Sequence, residues 1–163
     1  IEVNQITKEF PEIQADTTLE IAHYVAVQAS KELEIPVIRE DHALIINALG
    51  IPGPYTSFIE KRLSVDKLLK FLDDQEDRSG YFEIATVYAE PNGLVKEYSY
   101  QVPVFFETEV RVSDSRGGWN GLIRLAGEKR TFTEYPAEER LHIWGKNYEL
   151  IAEFLNSRQS FKK

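Results

Sequence analysis

The sequence predicts an α/β protein of the mixed α+β type, with an elongated mixed sheet flanked by helices. Residues 81–89 and 98–112 are rich in β-branched and aromatic side chains, and a Pro-Asn-Gly turn signal separates them. Residues 19–33 and 138–154 repeat apolar side chains at helical spacing. A further apolar run at 36–49 is interrupted by the acidic pair Glu40 and Asp41. Strands and helices of this kind interleaved along one chain indicate a sheet with helices packed around it.

Length and composition limit the kinds of protein that this chain can be. A chain of 163 residues with 42% hydrophobic residues fits one compact domain with a real core. It has no cysteine, which excludes a disulfide framework, a thiolate nucleophile and a cysteine-based zinc site. A net charge of −8 argues against binding to nucleic acid, whose phosphates require a basic face. No apolar run reaches the length of a membrane span and no signal peptide opens the chain, so we expect a cytoplasmic protein.

The first half of the chain is predicted to run strand, loop, helix, strand. Residues 1–6 alternate apolar and polar side chains, which predicts a short strand, and 10–16 form a loop. Asp16 or Thr17 can cap the helix at 19–33. A strand then runs from Pro36 through Asp41 to about residue 49, and a turn rich in glycine and proline follows at 50–55.

The second half is predicted to begin with two short helices, the second capped by Ser64. The two β-rich runs follow, and the alternation at 104–112 predicts one buried face along the whole second strand. A glycine-rich loop at 116–121 and a short strand at 122–125 precede the final helix at 138–154, and the basic tail at 160–163 is expected to fray.

The acidic pair lies where one apolar run gives way to another, which places it at the rim of the sheet. A carboxylate at a rim can reach a ligand without being buried unpaired, which would cost several kcal/mol or shift its pKa. Glu40 and Asp41 are therefore candidate ligand contacts. The alternative is a solvated acidic turn.

Several motifs together resemble those of the inosine/xanthosine triphosphate pyrophosphatases. These enzymes split deaminated purine triphosphates into the monophosphate and pyrophosphate. The matching stretches are Phe-Pro-Glu-Ile-Gln at 10–14, Glu-Asp at 40–41, Asn-Ala-Leu-Gly at 47–50 and Pro-Gly-Pro-Tyr at 52–55. The resemblance implies an elongated α/β fold whose two lobes hold the nucleotide in the cleft between them. The match is close in the motifs that shape the fold and incomplete among the residues of the active site.

The resemblance implies a Mg²⁺ site and a catalytic base. The glutamate of the Pro-Glu loop, Glu12 here, is a metal ligand in the family, and Asp41 matches the aspartate taken as the general base. We predict that Glu12, Glu40 and Asp41 hold Mg²⁺ together with the nucleotide, since hard cations prefer carboxylate oxygens. The alternative for Glu12 is an ordinary exposed loop residue.

The resemblance also implies nucleotide-binding residues. Arg78, Arg140 and Lys146 match basic positions that face the ligand, although the motif around Arg78 read alone is a solvated turn. Trp119 lies where the family has an aromatic residue that stacks on the purine, and Asn120 replaces the aspartate that follows it. Stacking contributes about 1–3 kcal/mol per base. The alternative for Trp119 is simple packing.

Other positions depart from the family pattern. Its phosphate-binding lysine matches Val25, and its Ser-His-Arg motif has become Trp-Gly-Lys at 144–146. The family also opens with a strand and a phosphate-gripping loop, which residues 1–163 do not supply. Because the chain begins at Ile1 and has no methionine, we expect its true start to be missing. Lost cations subtract directly from the rate of phosphoryl chemistry.

Three functional hypotheses follow. The leading one is a catalytically weakened homologue that binds ITP, dITP or XTP and reports it to an effector protein, as a regulatory subunit of a larger, antiviral complex. The second is an active pyrophosphatase with an unusual pocket, and the third is a scaffold that binds no nucleotide. The family is typically dimeric, and an apolar, aromatic surface expected around residues 52–58 would suit a homodimer or a heteromeric contact.

Overall fold

A computed structural model describes residues 2–115 and 118–160, and in this part of the chain five strands form one antiparallel sheet. The strand order is β2-β1-β3-β4-β5. The strands are β1 (Val37–Ile46), β2 (Ile51–Gly53), β3 (Ser79–Ala89), β4 (Val95–Phe106) and β5 (Ile123–Leu125). The helices are α1 (Thr18–Leu33), α2 (Thr56–Glu60), α3 (Val65–Leu72), a 3-10 turn (Glu138–Arg140), α4 (Leu141–Trp144) and α5 (Lys146–Ser160). The predicted class, a sheet with flanking helices, is confirmed.

Helix α1 covers one face of the sheet and begins at the predicted cap. The Thr17 hydroxyl accepts a hydrogen bond from the Glu20 backbone N–H at 3.3 Å, and the Glu20 carboxylate accepts one from the Thr17 N–H at 3.1 Å. This reciprocal capping box satisfies two N–H groups that the helix leaves unpaired. Small side chains then let the helix approach the sheet closely. The buried residues of this layer are Ala22, Ala26, Ala85, Val87 and Ala89.

The opposite face carries the larger core. Branched and aromatic side chains from β1, β3, β4 and β5 pack there against α3 and the segment around residue 119. The residues of this core that are less than 2% exposed are Leu44, Ile46, Leu68, Leu72, Ile84, Val104, Phe106, Trp119 and Leu122. Burial of a Leu, Ile or Phe side chain contributes about 1.5–3 kcal/mol, so this layer supplies most of the hydrophobic stabilisation.

Strand β1 ends at Ile46, earlier than the predicted residue 49, and residues 51–53 of the predicted turn at 50–55 form strand β2. Residues 47–50 form the turn, and Gly50 has a φ of +67°, a left-handed conformation that favours glycine. The Ile51–Pro52 peptide bond is cis. The Thr56 hydroxyl accepts a hydrogen bond from the Leu44 N–H at 2.8 Å and donates one to the Gly53 carbonyl at 2.7 Å, which fastens the turn to β1.

Two predicted strand segments are not strands. Residues 2–6 are coil, because no described strand pairs with them and a lone alternating segment has no partner for its N–H and C=O groups. The second β-rich run ends at Phe106, and Thr108, Val110 and Val112 are not buried. The chain leaves the sheet there because β5 pairs with β4 only from Val104 to Phe106.

The predicted C-terminal helix is interrupted. It is divided into the 3-10 turn, α4 and α5, and Gly145 ends α4. The break lets α4 turn its tryptophan toward the sheet while α5 packs separately on β3 and β4. The loop at 10–16, the turn at 91–93 and helix α3 after Ser64 are confirmed, although the Ser64 side chain makes no capping hydrogen bond. Residues 116–117 of the predicted glycine-rich loop and residues 161–163 of the basic tail lie outside the described residues.

No helix in the described residues is long and apolar enough to cross a membrane.

Candidate functional site

Strand β1 presents its polar side chains to both faces of the sheet. Asp41 is paired with Ala85 and Arg39 with Val87, and both partners belong to the layer under α1. Because successive side chains of a strand point to opposite faces, Glu40 and His42 lie on the side of the larger core. The two carboxylates of the acidic pair therefore belong to different clusters.

The first of these, the Asp41 cluster, consists of Glu12, Arg39 and Asp41. The Arg39 guanidinium donates a hydrogen bond to the Glu12 carboxylate and ties the N-terminal coil to β1. Burial, followed by the negative charge of Glu12, raises the pKa of Asp41 to about 6, while Arg39 and His42 oppose the shift. Glu12 and Arg39, which are 27 positions apart in sequence, thus interact with each other beside Asp41.

The second, the Glu40 cluster, consists of Glu40, His42, Trp144 and Tyr148. His42 Nε2 lies 2.9 Å from Glu40 Oε1, and the Thr86 hydroxyl donates to the same carboxylate at 3.2 Å. The His42 and Trp144 rings are stacked with their centroids 6.1 Å apart. Burial, followed by the charge of Glu40, raises the pKa of Tyr148 to about 12. Aromatic faces and a carboxylate therefore meet on this side of β1.

Helix α5 is fixed against this cluster by Asn147. Its side-chain amide is buried and donates to the Ile84 carbonyl, the Thr86 hydroxyl and the Tyr98 carbonyl at 3.0–3.2 Å. Lys146, one residue earlier, is exposed, and its ammonium lies 5.4 Å from the centroid of the Tyr100 ring. The predicted ligand cation Lys146 is thus free to face solvent beside the Glu40 cluster.

Arg78 is buried among backbone carbonyls. Its side chain is 8% exposed, and its guanidinium donates to the carbonyls of Leu72, Phe106 and Glu107. These bonds join the end of α3 to the end of β4. The sequence predicts that Arg78 contacts the nucleotide. In the structure its guanidinium instead donates to buried carbonyls, because these carbonyls need hydrogen-bond donors.

Trp119 and Asn120 are likewise predicted to contact the nucleotide base, and in the structure both make contacts within the protein. The Trp119 side chain is 1% exposed in the larger core, and its indole N–H donates to the Leu63 carbonyl at 2.8 Å. The Glu60 carboxylate accepts the Trp119 backbone N–H at 3.0 Å. Asn120 donates to the Asp114 carboxylate at 2.7 Å. The packing alternative fits Trp119, since its ring is buried and its indole N–H is bonded to a protein carbonyl.

Arg140 lies between aromatic rings. Its guanidinium carbon is 4.7 Å from the Phe132 ring centroid and 5.9 Å from that of Tyr135, and it donates to the Tyr135 carbonyl at 3.0 Å. Phe132 in turn contacts Trp144 edge-on at 6.1 Å. Arg140 is therefore linked through the Phe132 ring to the Glu40 cluster.

The outer edge of β1 is where the two clusters meet. β2 pairs with β1 only at Leu44–Ile46, so positions 37–43 have no strand partner on that side within residues 2–115 and 118–160. A cavity of about 930 Å³ extends along this edge, between the N-terminal coil, α1 and α5. Its lining includes Arg39 and Tyr148, one from each cluster.

The Asp41 cluster has the donor chemistry for Mg²⁺, but the predicted three-carboxylate set is divided. Glu40 lies on the other face and is bonded to His42 and Thr86. Within the described residues no group of three or more acidic or histidine side chains is arranged to hold a metal ion. Glu12 and Asp41 still fit, because Mg²⁺ is commonly bound by one or two carboxylates together with substrate phosphates and water.

Sequence reasoning missed Arg39, Tyr148 and the contact of His42 with Trp144. Arg39 was detectable, since it precedes Asp41 by two residues and strand periodicity places both on one face. Tyr148 and Trp144 lie on either side of the helix break at Gly145, and their approach to β1 depends on how α4 and α5 pack on the sheet.

Arg78→Met tests the structural role of Arg78. The substitution leaves buried carbonyls without donors, so we expect the free energy of unfolding to fall by about 3 kcal/mol or more, measured by urea denaturation. The matched control is Arg62→Met, because Arg62 is exposed, stacks on the Phe58 ring and donates to the Phe58 carbonyl. We expect about 1 kcal/mol or less there. Full stability of Arg78→Met with loss of nucleotide binding would instead support a ligand contact.

Asp41→Asn tests the shifted pKa of Asp41 in metal-free protein with EDTA. The pKa of about 6 in the folded state exceeds the ordinary value of 3.8, so the charged form is disfavoured by folding. The wild type therefore loses stability as pH rises through 6, and the neutral amide does not. We expect Asp41→Asn to match the wild type near pH 4 and to be the more stable protein above pH 7. A stability difference that does not vary between pH 4 and pH 8 would contradict this pKa.

Comparison with known proteins agrees with this fold. The model of the Ham1 family matches residues 1–146. A dITP/XTP pyrophosphatase of Methanopyrus kandleri is 35% identical over 151 residues, covering 88% of this chain and 76% of that protein. One from Methanosarcina mazei is 40% identical over 148 residues, covering 86% and 75%. The solved Ham1 protein of Staphylococcus aureus superposes with a TM-score of 0.75 at 21% identity, covering 92% of this chain and 82% of that one. This chain belongs to the Ham1 family.

Proposed function

We propose that this protein is an active nucleoside triphosphate pyrophosphatase that converts deaminated purine triphosphates to the monophosphate and pyrophosphate. The observation that carries the proposal is the Asp41 cluster, in which the coil residue Glu12 is held beside Asp41 through Arg39. Relatives that are 35% and 40% identical are named dITP/XTP pyrophosphatases, and this supports the same substrate class. The active enzyme is preferred over the weakened sensor.

In the proposed reaction, water attacks the α-phosphorus and the bond from that phosphorus to the oxygen bridging to the β-phosphorus breaks. Asp41 accepts the proton of the attacking water, and pyrophosphate leaves with the bridging oxygen. Glu12 and Asp41 would also hold Mg²⁺, which neutralises charge that develops on the phosphates. The raised pKa of Asp41 supports its role as a base, since a base works best with a pKa near the working pH.

We propose that the base of the nucleotide lies on the Glu40 cluster. A ligand placed along the free edge of β1 would have its phosphates beside Asp41 and its base beside His42 and Trp144. The aromatic faces of these residues suit a purine, and exposed Lys146 adds a hydrogen-bond donor for the 6-oxo group that distinguishes deaminated purines. This assignment replaces Trp119, whose ring is buried.

We further propose that the strand and phosphate loop implied by the family resemblance would occupy the edge of β1 next to residues 35–39. Unpaired N–H and C=O groups at an edge accept a further strand, and the cavity lies along them. A loop ending such a strand would reach the phosphates near Asp41. Mg²⁺ dependence and a cytoplasmic location belong to the same proposal.

The activity test measures pyrophosphate released from ITP, XTP, dITP and ATP with Mg²⁺. We expect turnover of the deaminated nucleotides in preference to ATP. Asp41→Asn and Glu12→Gln should lower kcat/KM by about 10²–10⁴, because base and metal ligand are lost. The matched control, Glu9→Gln, alters an exposed carboxylate of the same coil and should leave the rate unchanged.

The same assay distinguishes the other hypotheses. Thermal stabilisation by ITP without product would favour the weakened sensor, since a ligand at about 100 times its Kd adds about 2.7 kcal/mol. Absence of both product and stabilisation would leave a scaffold. The sensor hypothesis requires an effector partner, and no observation in the structure supports one. We therefore adopt the hypothesis of an active enzyme.

We propose that the exposed apolar surface around α2 is a homodimer contact. Tyr55 and Phe58 are 43% and 57% exposed, and Ile51 beside them is 48% exposed. We expect Phe58→Asp to shift the protein toward monomer in sedimentation experiments, because a charge would be buried in the contact. Phe71→Asp is the control, since Phe71 is equally exposed at 58% but lies on α3. A monomeric wild type would refute the dimer.

A further inference from the structure

Arg39 is a basic residue that lies within the acidic group itself. It precedes Asp41 by two residues on the same face of β1, and its guanidinium donates to the Glu12 carboxylate. Its positive charge also acts on Asp41. The side chain is 36% exposed, so part of it is sheltered by α1 and the coil. A guanidinium beside two carboxylates supplies the positive charge that a divalent cation would supply between the same oxygens.

The Arg39 side chain is incompletely satisfied in this position. Its Nε is buried and has no hydrogen-bond partner among the residues that the structure describes, while Nη2 pairs with Glu12. A buried donor without an acceptor costs about 1–3 kcal/mol. The guanidinium fork is shaped for two parallel bonds to a carboxylate or a phosphate, and the contact with Glu12 uses only one side of it. An incoming phosphate would offer acceptors that the present position lacks.

We propose that Arg39 is an exchangeable counter-ion: it holds Glu12 beside Asp41 while the site contains no metal, and it moves to the phosphates when a metal–nucleotide complex binds. The inference deepens the proposed function and rests on it. Arg39 precedes Asp41 by two residues on the same face of β1, so phosphates placed beside Asp41 lie within reach of its side chain. Two cations between two carboxylates would repel each other, and moving one to the phosphates relieves this repulsion.

If Arg39 has this role, its removal should strengthen the binding of metal alone and weaken the binding of substrate. Arg39→Met removes the competing charge, so apo protein should bind Mn²⁺ about 10-fold more tightly, measured by electron paramagnetic resonance without nucleotide. The same variant should raise the KM for ITP about 10-fold or more, because a phosphate contact is lost. Arg39→Lys should leave Mn²⁺ binding near the wild-type value and raise KM less, since it keeps the charge but loses the fork.

The matched control is Arg130→Met. Arg130 also pairs with two carboxylates, those of Glu128 and Glu139, and its side chain is 42% exposed. The same net charge is removed at a distance from β1, so Mn²⁺ binding and KM should both stay within about twofold of the wild type. This control separates the local effect of Arg39 from the general effect of a more negative protein.

The outcomes separate the two proposals. Mn²⁺ affinity of Arg39→Met equal to or weaker than that of the wild type would overturn the counter-ion role, whatever happens to KM. A purely structural role would weaken both metal binding and substrate binding, and that result also overturns it. Absence of pyrophosphate release by the wild type would overturn the proposed function instead. The metal titration would then still decide whether Arg39 competes for the carboxylates.

Discussion

The antiparallel pairing of β1 with β3 is the constraint on which the site depends. It runs without interruption from Val37 opposite Ala89 to Ile46 opposite Gly80. Because strand side chains alternate, this register sends Asp41 toward α1 and Glu40 toward the larger core. A slip of one residue would exchange the two faces and place apolar side chains in water. The register is therefore held by the same burial that holds the fold.

The two faces have different chemical characters because different elements cover them. On one side the alanine-rich layer of α1 leaves room for the coil that carries Glu12 to pair with Arg39. On the other side α4 and α5 bring aromatic rings to His42 and Glu40. Charge is concentrated on the first face and aromatic surface on the second. A nucleotide has the same division, with phosphates at one end and a base at the other.

Two arginines, Arg39 and Arg78, have different roles in this fold. Arg78 is buried and satisfies backbone carbonyls, so its charge serves stability. Arg39 lies at an open edge among carboxylates and keeps an unsatisfied donor. Burial and the identity of the hydrogen-bond acceptors distinguish the two, and neither property is visible in the residue type. The same distinction separates buried Trp119 from half-buried Trp144.

Local sequence determined the elements that depend on neighbouring residues: the capped helix α1, the turn at Gly50, the turn at 91–93 and most of the strand pattern. The Pro-Glu and Glu-Asp motifs also identified Glu12 and Asp41, which the fold brings together. Tertiary structure alone decided what depends on distant partners. No strand among the described residues pairs with residues 2–6. Arg78 and Trp119 are enclosed by elements far along the chain, and Arg39 pairs with Glu12 of the N-terminal coil. Local patterns fix the conformation of a segment, whereas burial and pairing depend on what packs against it.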